Sequence, residues 1–392
     1  MSKLSRTTRV GLVAGAVAMM LAAVSVAPAS AAPAAPEKVR VAYFANITHA
    51  PALIARQKQI FEKYLGATKV EYSIFSVGTA EIEAFKGGAV DFGYIGPSPT
   101  ILGYTTTQSS LLKVVSGAVS GGAKFIVSPA LIKTEGKPTA AEIKALKGKT
   151  FATPGLGGTQ DVALRGYLRK NSIAIGTGND TAHILPTENA TTLTLFQKGS
   201  IDGGWVPEPW ATRLIQEGKG KVFVDEATLW PAGKYITTDV IASQKFLQQY
   251  PNTVKALLQA NNEAIAFLND KANKQTSIDL AQAELKARTG KVLSDAVINA
   301  AWPSLTFTAD PLASTWKTSF IAGLFERRFL MLGVQAGALP PAADGLAHQV
   351  ALLMSMRRIS PSSQNRSHAE PRGRMPISRS TSQPCGPSPD AL

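Results

Sequence analysis

"FATPGLGGTQDVALRGYLRK", residues 151–170, is a strand, a glycine-rich turn and a helix in succession. A turn of this kind is a natural place for an anion. The first backbone N–H groups of a helix have no intrahelical partner, and the helix dipole is positive there. Two nucleotide-binding patterns can be tested against it. The phosphate loop needs G-x-x-x-x-G-K-[ST], but Gly158 is followed by Thr159 and Gln160, with no lysine. The dinucleotide pattern needs G-x-G-x-x-G, and position 160 is glutamine where the third glycine belongs. Nucleotide binding is therefore not the reading of this turn.

Working outward, four other junctions repeat the chemistry: "NITHAP" (46–51), "SVGTAE" (76–81), "IGPSPT" (95–100) and "TENATT" (187–192). Each places small, hydroxyl or amide residues at the start of a helical pattern. Ser, Thr and Asn at one helix start are ordinarily plain caps. Their repetition at five junctions points to a small oxyanion held without a lysine.

The junctions sit in a chain that alternates strand and helix patterns. Strands are expected at 38–44, 69–76, 90–96, 111–119 and 123–129, with helices at 51–64, 78–88 and from about 98. The alternation restarts near 139 with a helix at 139–148. Further strands are read in "KTFATPG", "AHILPT", "IDGGWV" and "KVFVDE". Beyond about residue 250 the pattern is mostly helical: 253–269, 276–289, 294–301 and 313–325. Alternating β and α elements give an α/β fold, with mostly parallel sheets flanked by helices and ligands beside helix N-termini. At 392 residues the chain has room for two domains. The expected division is a discontinuous first lobe, 37–122 plus 230–325, and a second lobe, 123–229, joined by two crossing segments.

Both ends differ from this body. Lys3, Arg6 and Arg9 precede an apolar run over 10–26, and Ala29-Ser30-Ala31 is a small-x-small cleavage pattern. Residues 1–31 thus read as an export signal without a lipidation cysteine. The lone cysteine, Cys385, leaves no intrachain disulfide and no cysteine metal site. Residues 326–392 are Arg/Ser/Pro-rich, and every cation after Lys317 is arginine. That tail is expected to be disordered, and its composition reads either as out-of-frame translation or as a natural basic extension. The net charge of +14 suits a small anionic ligand. No Lys/Arg cluster with interleaved aromatics marks a nucleic-acid surface.

Catalysis finds little support. There is no G-x-S-x-G elbow and no H-E-x-x-H, and the body holds only His49 and His183. His183 lies in a strand pattern and reads as structural. His49 opens a helix beside Thr48 and is placed as a hydrogen-bonding residue of the cleft. No metal or other cofactor is expected. In "IDGGWVPEPWATRL" (201–214), Trp205 and Trp210 either pack in a core or cover the carbon part of a ligand. Glu208, between two prolines, would repel a nearby oxyanion. It pairs either with an ammonium on the ligand or with a lysine or arginine at the hinge.

Five stretches together resemble the solute-binding proteins of ABC importers for aliphatic sulfonates, taurine and nitrate. They are "YFANITHAPALIARQKQIFEK", "GTAEIEAFKGGAVDFGYIGPSPTILGY", "SGAVSGGAKFIV", "LKGKTFATPGLGGTQDVALRGYL" and "IDGGWVPEPWATRL". The resemblance runs in order from about residue 39 to 322. It implies a type II periplasmic binding fold, two α/β lobes closing on a ligand. By position it implies ligand contacts from Asn46, Thr48, Thr79, Pro97 and Ser98 in the first lobe, and from Ser120, Gly121 and Gly122 where the chain leaves it. The second lobe would add Thr159, Gln160 and the segment from Trp205 to Trp210. The implied protein is an exported, monomeric receptor that delivers a sulfonate-like anion to an ABC permease. Nitrate, bicarbonate or a thiamine pyrimidine precursor are alternative ligands, and a frameshifted, transport-defective product is another reading. A thiamine-pyrimidine synthase of the same fold uses a cysteine-rich segment, which this body lacks. The chain departs from the family pattern after about residue 322.

Overall fold

The computed structural model describes residues 35–312, 315 and 316. The expected signal segment, most of the 313–325 helix and the 326–392 tail lie outside the described residues.

Among the described residues, eleven strands form two sheets. The first holds β1 (Lys38–Phe44), β2 (Lys69–Phe75), β3 (Phe92–Ile95), β4 (Leu112–Gly121), β10 (Ile236–Ser243) and β11 (Leu305–Phe307), in the order β11-β4-β10-β3-β1-β2. The second holds β5 (Ala123–Val127), β6 (Thr150–Thr153), β7 (His183–Pro186), β8 (Gly203–Pro207) and β9 (Lys221–Asp225), in the order β7-β6-β8-β5-β9. The helices of the first lobe are α1 (Ala50–Gln57), α2 (Ile60–Leu65), α3 (Gly78–Lys86) and α4 (Pro97–Thr106). The second lobe carries α5 (Ala140–Lys144), α6 (Thr159–Lys170), α7 (Asn189–Gln197) and α8 (Trp210–Gln216). Then come α9 (Gln244–Gln249), α10 (Pro251–Asn269), α11 (Lys274–Thr289) and α12 (Asp295–Ala301).

Each lobe keeps a parallel trio, β2-β1-β3 and β7-β6-β8, in which consecutive strands are linked through a helix. The strands next to the crossings run antiparallel: β10 against β3 and β4, and β5 against β8 and β9. The chain passes between the sheets twice, from β4 through Gly122 into β5 and from β9 through residues 226–235 into β10. A strand arriving from the other sheet has no helix to turn it round, so it enters antiparallel. This two-lobed mixed α/β fold is the type II periplasmic binding fold.

Hydrophobic periodicity explains the core. On α10, Val254, Leu257, Ala260, Ala264, Ile265 and Leu268 follow helical spacing and are buried with α1 and β1 residues. Each large aliphatic chain so buried contributes about 1.5–3 kcal/mol. The second lobe centres on Phe125, Phe151, Tyr167, Trp205 and Phe223. One expectation is corrected. The helix read over 51–64 is two helices, because Gln59 adopts φ 53°, a left-handed conformation that no α-helix continues through.

Candidate functional site

A cleft of about 370 Å3 lies where the two lobes face each other. Five helices begin at it: α1, α3, α4, α6 and α7. Their N-caps are His49, Val77, Gly96, Gly158 and Glu188, and none of these side chains caps its helix. Cleft-lining residues include Gly78 and Thr79 of α3, Thr159 and Gln160 of α6, and Asn189 and Ala190 of α7. Away from the cleft, α2, α10 and α11 also start without a side-chain cap, whereas α5, α9 and α12 start on Thr139, Ser243 and Ser294. Each of those accepts a bond from its own helix. At the cleft, donors of the first turns are left for something other than a cap.

The lobes meet across this space. Ser76 Oγ donates to Glu188 Oε1 at 2.9 Å. Gly96 comes so near the Thr159 hydroxyl that a Cβ at residue 96 would overlap it, so the start of α6 can approach the start of α4 only over a glycine.

Among the lining side chains, His49 is buried and stacks on Phe44 with ring centroids 4.5 Å apart. The Phe44 backbone N–H donates to its Nδ1 at 3.3 Å. Burial lowers the imidazole pKa to about 3, so the ring is neutral and its proton sits on Nε2. His49 is therefore a neutral N–H donor lining the cleft. Asn46 and Thr48 are buried beside it. Three lining polar atoms, Asn46 Oδ1, Asn189 Oδ1 and Thr238 Oγ1, are buried without a hydrogen-bond partner. Of these, only the Thr238 hydroxyl can donate to an anion; the two amide oxygens are acceptors and need a donor as partner. Phe44, Phe75, Val77 and Trp210 give the same cleft an apolar wall.

Of the residues singled out in the sequence, Asn46, Thr48, His49, Thr79, Thr159, Gln160 and Trp210 line this cleft. Pro97 and Ser98 form the first turn of α4, but the neighbouring Gly96 and Pro99 face the cavity. Ser120, Gly121 and Gly122 belong to the crossing, where Gly121 and Gly122 have φ of 83° and 79°. Trp205 is a core residue, not a cleft residue. It stacks on Phe125 at 5.5 Å and donates its indole N–H to Glu226 at 2.7 Å. Glu208 is fully buried and resolves to the hinge-lysine alternative: Lys124 Nζ donates to Glu208 Oε1 at 2.5 Å and to Ser304 Oγ at 2.9 Å. A carboxylate committed in this way is not available to a ligand ammonium.

Several positions escaped the sequence reading. Thr237, Thr238, Arg288 and Thr289 line the cleft from segments far along the chain. Asp161 is the more instructive case, since its motif was in view. It accepts from Gly157 N at 3.0 Å, Thr153 Oγ1 at 3.1 Å and Arg165 Nε at 2.9 Å, tying down the glycine turn from behind. The signal was an acid three residues after the last glycine, at the third helical position. Among the described residues no group of three His, Cys, Asp or Glu side chains could hold a metal ion.

Two lobes, two crossings and a cleft rimmed by helix starts define a binding-protein architecture. The chain belongs to the NMT1-like family, whose model matches residues 32–282. It is 28% identical over 227 residues to the taurine-binding periplasmic protein of Escherichia coli (strain K12), covering 58% of this chain and 65% of that protein. It is 28% identical over 251 residues to the nitrate/nitrite binding protein NrtA of Synechococcus elongatus, covering 60% and 56% of the two chains. Among solved structures, the alkanesulfonate-binding protein SsuA from Xanthomonas axonopodis pv. citri, bound to MOPS, superposes with a TM-score of 0.58 at 21% identity. That match covers 76% of this chain and 95% of the other.

Proposed function

We propose that the chain is an exported, non-catalytic receptor that captures a small organosulfonate between its lobes and delivers it to an ABC permease. The observation that carries this reading is the convergence of five helix starts without capping side chains on one cleft. A sulfonate is a permanent anion whose oxygens only accept hydrogen bonds. Backbone N–H groups, the neutral His49 donor and the hydroxyls of Thr79 and Thr159 match it without a buried cation. The apolar wall of Phe44, Phe75, Val77 and Trp210 suits a carbon body, and about 370 Å3 leaves room that nitrate would not fill. The kinship with taurine- and nitrate-binding proteins supports a small oxyanion ligand, and the choice of a sulfonate rests on the cleft. Because the ligand touches both lobes, it selects the closed population. The basic and apolar segment at residues 1–31 supports export, and the two-lobe fold with a cleft between the lobes supports handover to a permease.

Isothermal titration of the chain with taurine, ethanesulfonate, longer alkanesulfonates, nitrate and sulfate tests the proposal. Binding of one or more sulfonates in preference to nitrate and sulfate is expected. Heat from nitrate alone would move the chain to the nitrate class, and no heat from any of them would remove the oxyanion reading.

A further inference from the structure

Behind the first-lobe half of the cleft lie two acids that, among the described residues, no cation answers. Glu81, in the first turns of α3, and Asp239, on β10, are both fully buried. Neither oxygen of the Glu81 carboxyl has a hydrogen-bond partner, nor does Asp239 Oδ1. Asp239 Oδ2 accepts from Thr100 Oγ1 at 3.0 Å.

The strand register places the two together. Asp239 pairs with Ile95 and Ile241 with Gly93 across β10 and β3, so all four share one face of the sheet. The Glu81 carboxyl occupies the space over Gly93 where a side chain would otherwise stand. It is thus diagonal to Asp239 on that face, within reach of its charge. Around them lie the apolar Ile82, Phe85, Ile95 and Ile241.

The packed elements supply no countercharge. The charged residues of α3 besides Glu81 are Glu83 and Lys86, paired with each other at 2.7 Å. Strand β3 and helix α4 carry no charged residue, and β10 carries only Asp239. Asp91, just before β3, is held by Arg40 at 2.6 Å, and Lys113 of β4 lies over the Tyr104 ring. Across the cleft, Asp161 and Arg165 of α6 are paired at 2.9 Å.

We infer that Glu81 and Asp239 form a buried proton-binding site, retaining at neutral pH protons that free carboxyls have lost. Burial without a counterion disfavours the charged form, and each acid raises the other. Accordingly both carboxyls are held well above the usual carboxylate range, by burial first and, at Glu81, by the nearby Asp239. The protons also matter to the cleft. An ionised Glu81 in the first turns of α3 would answer the positive end of that helix internally. A protonated one leaves it for a ligand at Gly78 and Thr79. That consequence rests on the anion reading above; the site itself does not.

The sign follows from linkage. The folded chain binds more protons than the unfolded one between the ordinary carboxyl pKa and the raised one. The site's contribution is therefore fully present in acid and is lost as pH rises toward the raised values. The unfolding constant grows about tenfold per pH unit for each proton retained. The decisive measurement uses no ligand. The full chain is unfolded in guanidinium at pH 8 in weak buffer, and released protons are counted with an indicator dye. That pH lies above Glu226, which burial pushes up to about 7. Between one and two protons per chain are expected, and Glu81→Gln with Asp239→Asn together should abolish the release. Release of less than one proton from the unaltered chain overturns the site. Should the variants fail to fold, infrared spectroscopy of the unaltered chain at pH 8 decides: a protonated-carboxyl band supports the site, and its absence overturns it. An unfolding midpoint raised by sodium relative to choline at equal ionic strength would give the place to a metal cation and overturn the proton assignment.

Discussion

His49 is an ionisable ring that burial has taken out of the physiological range. Its pKa is lowered to about 3 against an ordinary 6.5, so the unfolded chain binds more protons between those values. Stability linked to His49 is therefore fully present above about pH 6.5 and falls as the pH drops toward 3. His49→Gln should flatten this dependence, read as the difference in melting temperature between pH 7.5 and pH 4 for the two proteins. The same change should weaken taurine at every pH, because a donor next to the cleft is displaced. Lys124 and Glu208 make a different statement. Lys124→Ala strands a fully buried carboxylate, a loss on the order of 3–5 kcal/mol in urea unfolding when a buried pair is broken from one side. Replacing both with apolar residues should cost less, and equal losses would show that the pair is not the cause. Asp161→Ala reaches the cleft without touching it. Releasing the Gly157 N–H should lower anion affinity about tenfold while far-ultraviolet dichroism stays unchanged.

At the scale of elements, the five helix starts at the cleft share uncapped first turns that converge on one space. Val77 stands at the N-cap of α3 with extended backbone, where a threonine would fit in nearly the same volume. Val77→Thr should stabilise the chain by about 1 kcal/mol through a new cap. The capped N–H would no longer be free, so sulfonate affinity should fall. A variant that gained both stability and affinity would contradict the role given to that turn. These junctions were legible in the sequence because a strand, a turn of small, hydroxyl or amide residues and a helix follow one another within a few residues. Three things were not. The break at Gln59 lies inside an unbroken apolar pattern, and only its backbone conformation reveals it. Strand β10 reads "ITTDVIAS", and its buried Thr237, Thr238 and Asp239 disguise a strand flanked on both sides by partners. Strand β11 is three residues long and exists through pairing with β4, nearly two hundred residues earlier. For the same reason Arg288 and Thr237 could not be assigned to the cleft from local pattern, whereas the 155–161 turn could.

In the whole molecule, any movement of one lobe against the other must pass through two connections. Gly122 has a left-handed φ of 79°, and a Cβ there would meet the Leu305 side chain. Gly122→Ala should cost about 1–3 kcal/mol and shift the balance between lobes, read as a changed radius of gyration by solution scattering with and without taurine. Across the cleft, Ser76→Ala removes the bond to Glu188. Faster taurine release with little change in association is expected, as stopped-flow fluorescence would record. An unchanged release rate would show that this bond does not hold the closed form.

The way β11 returns to β4 also bears on how the molecule comes into being. The second sheet is drawn from one continuous stretch, 123–225, while the first needs strands from residue 38 to residue 307. Ser304 and Leu305 then close around Gly121, Gly122 and Lys124. As the ribosome delivers the chain from its N-terminus, the second lobe has all its strands well before the first. The earliest residues made must wait for among the last of the described ones. The hinge is thus completed only once residues 304 and 305 have been made, and until residue 243 is made strands β1 to β4 lack β10 as their central partner. A growing chain stalled shortly after residue 250 should resist protease over 123–225 and be cleaved before residue 122.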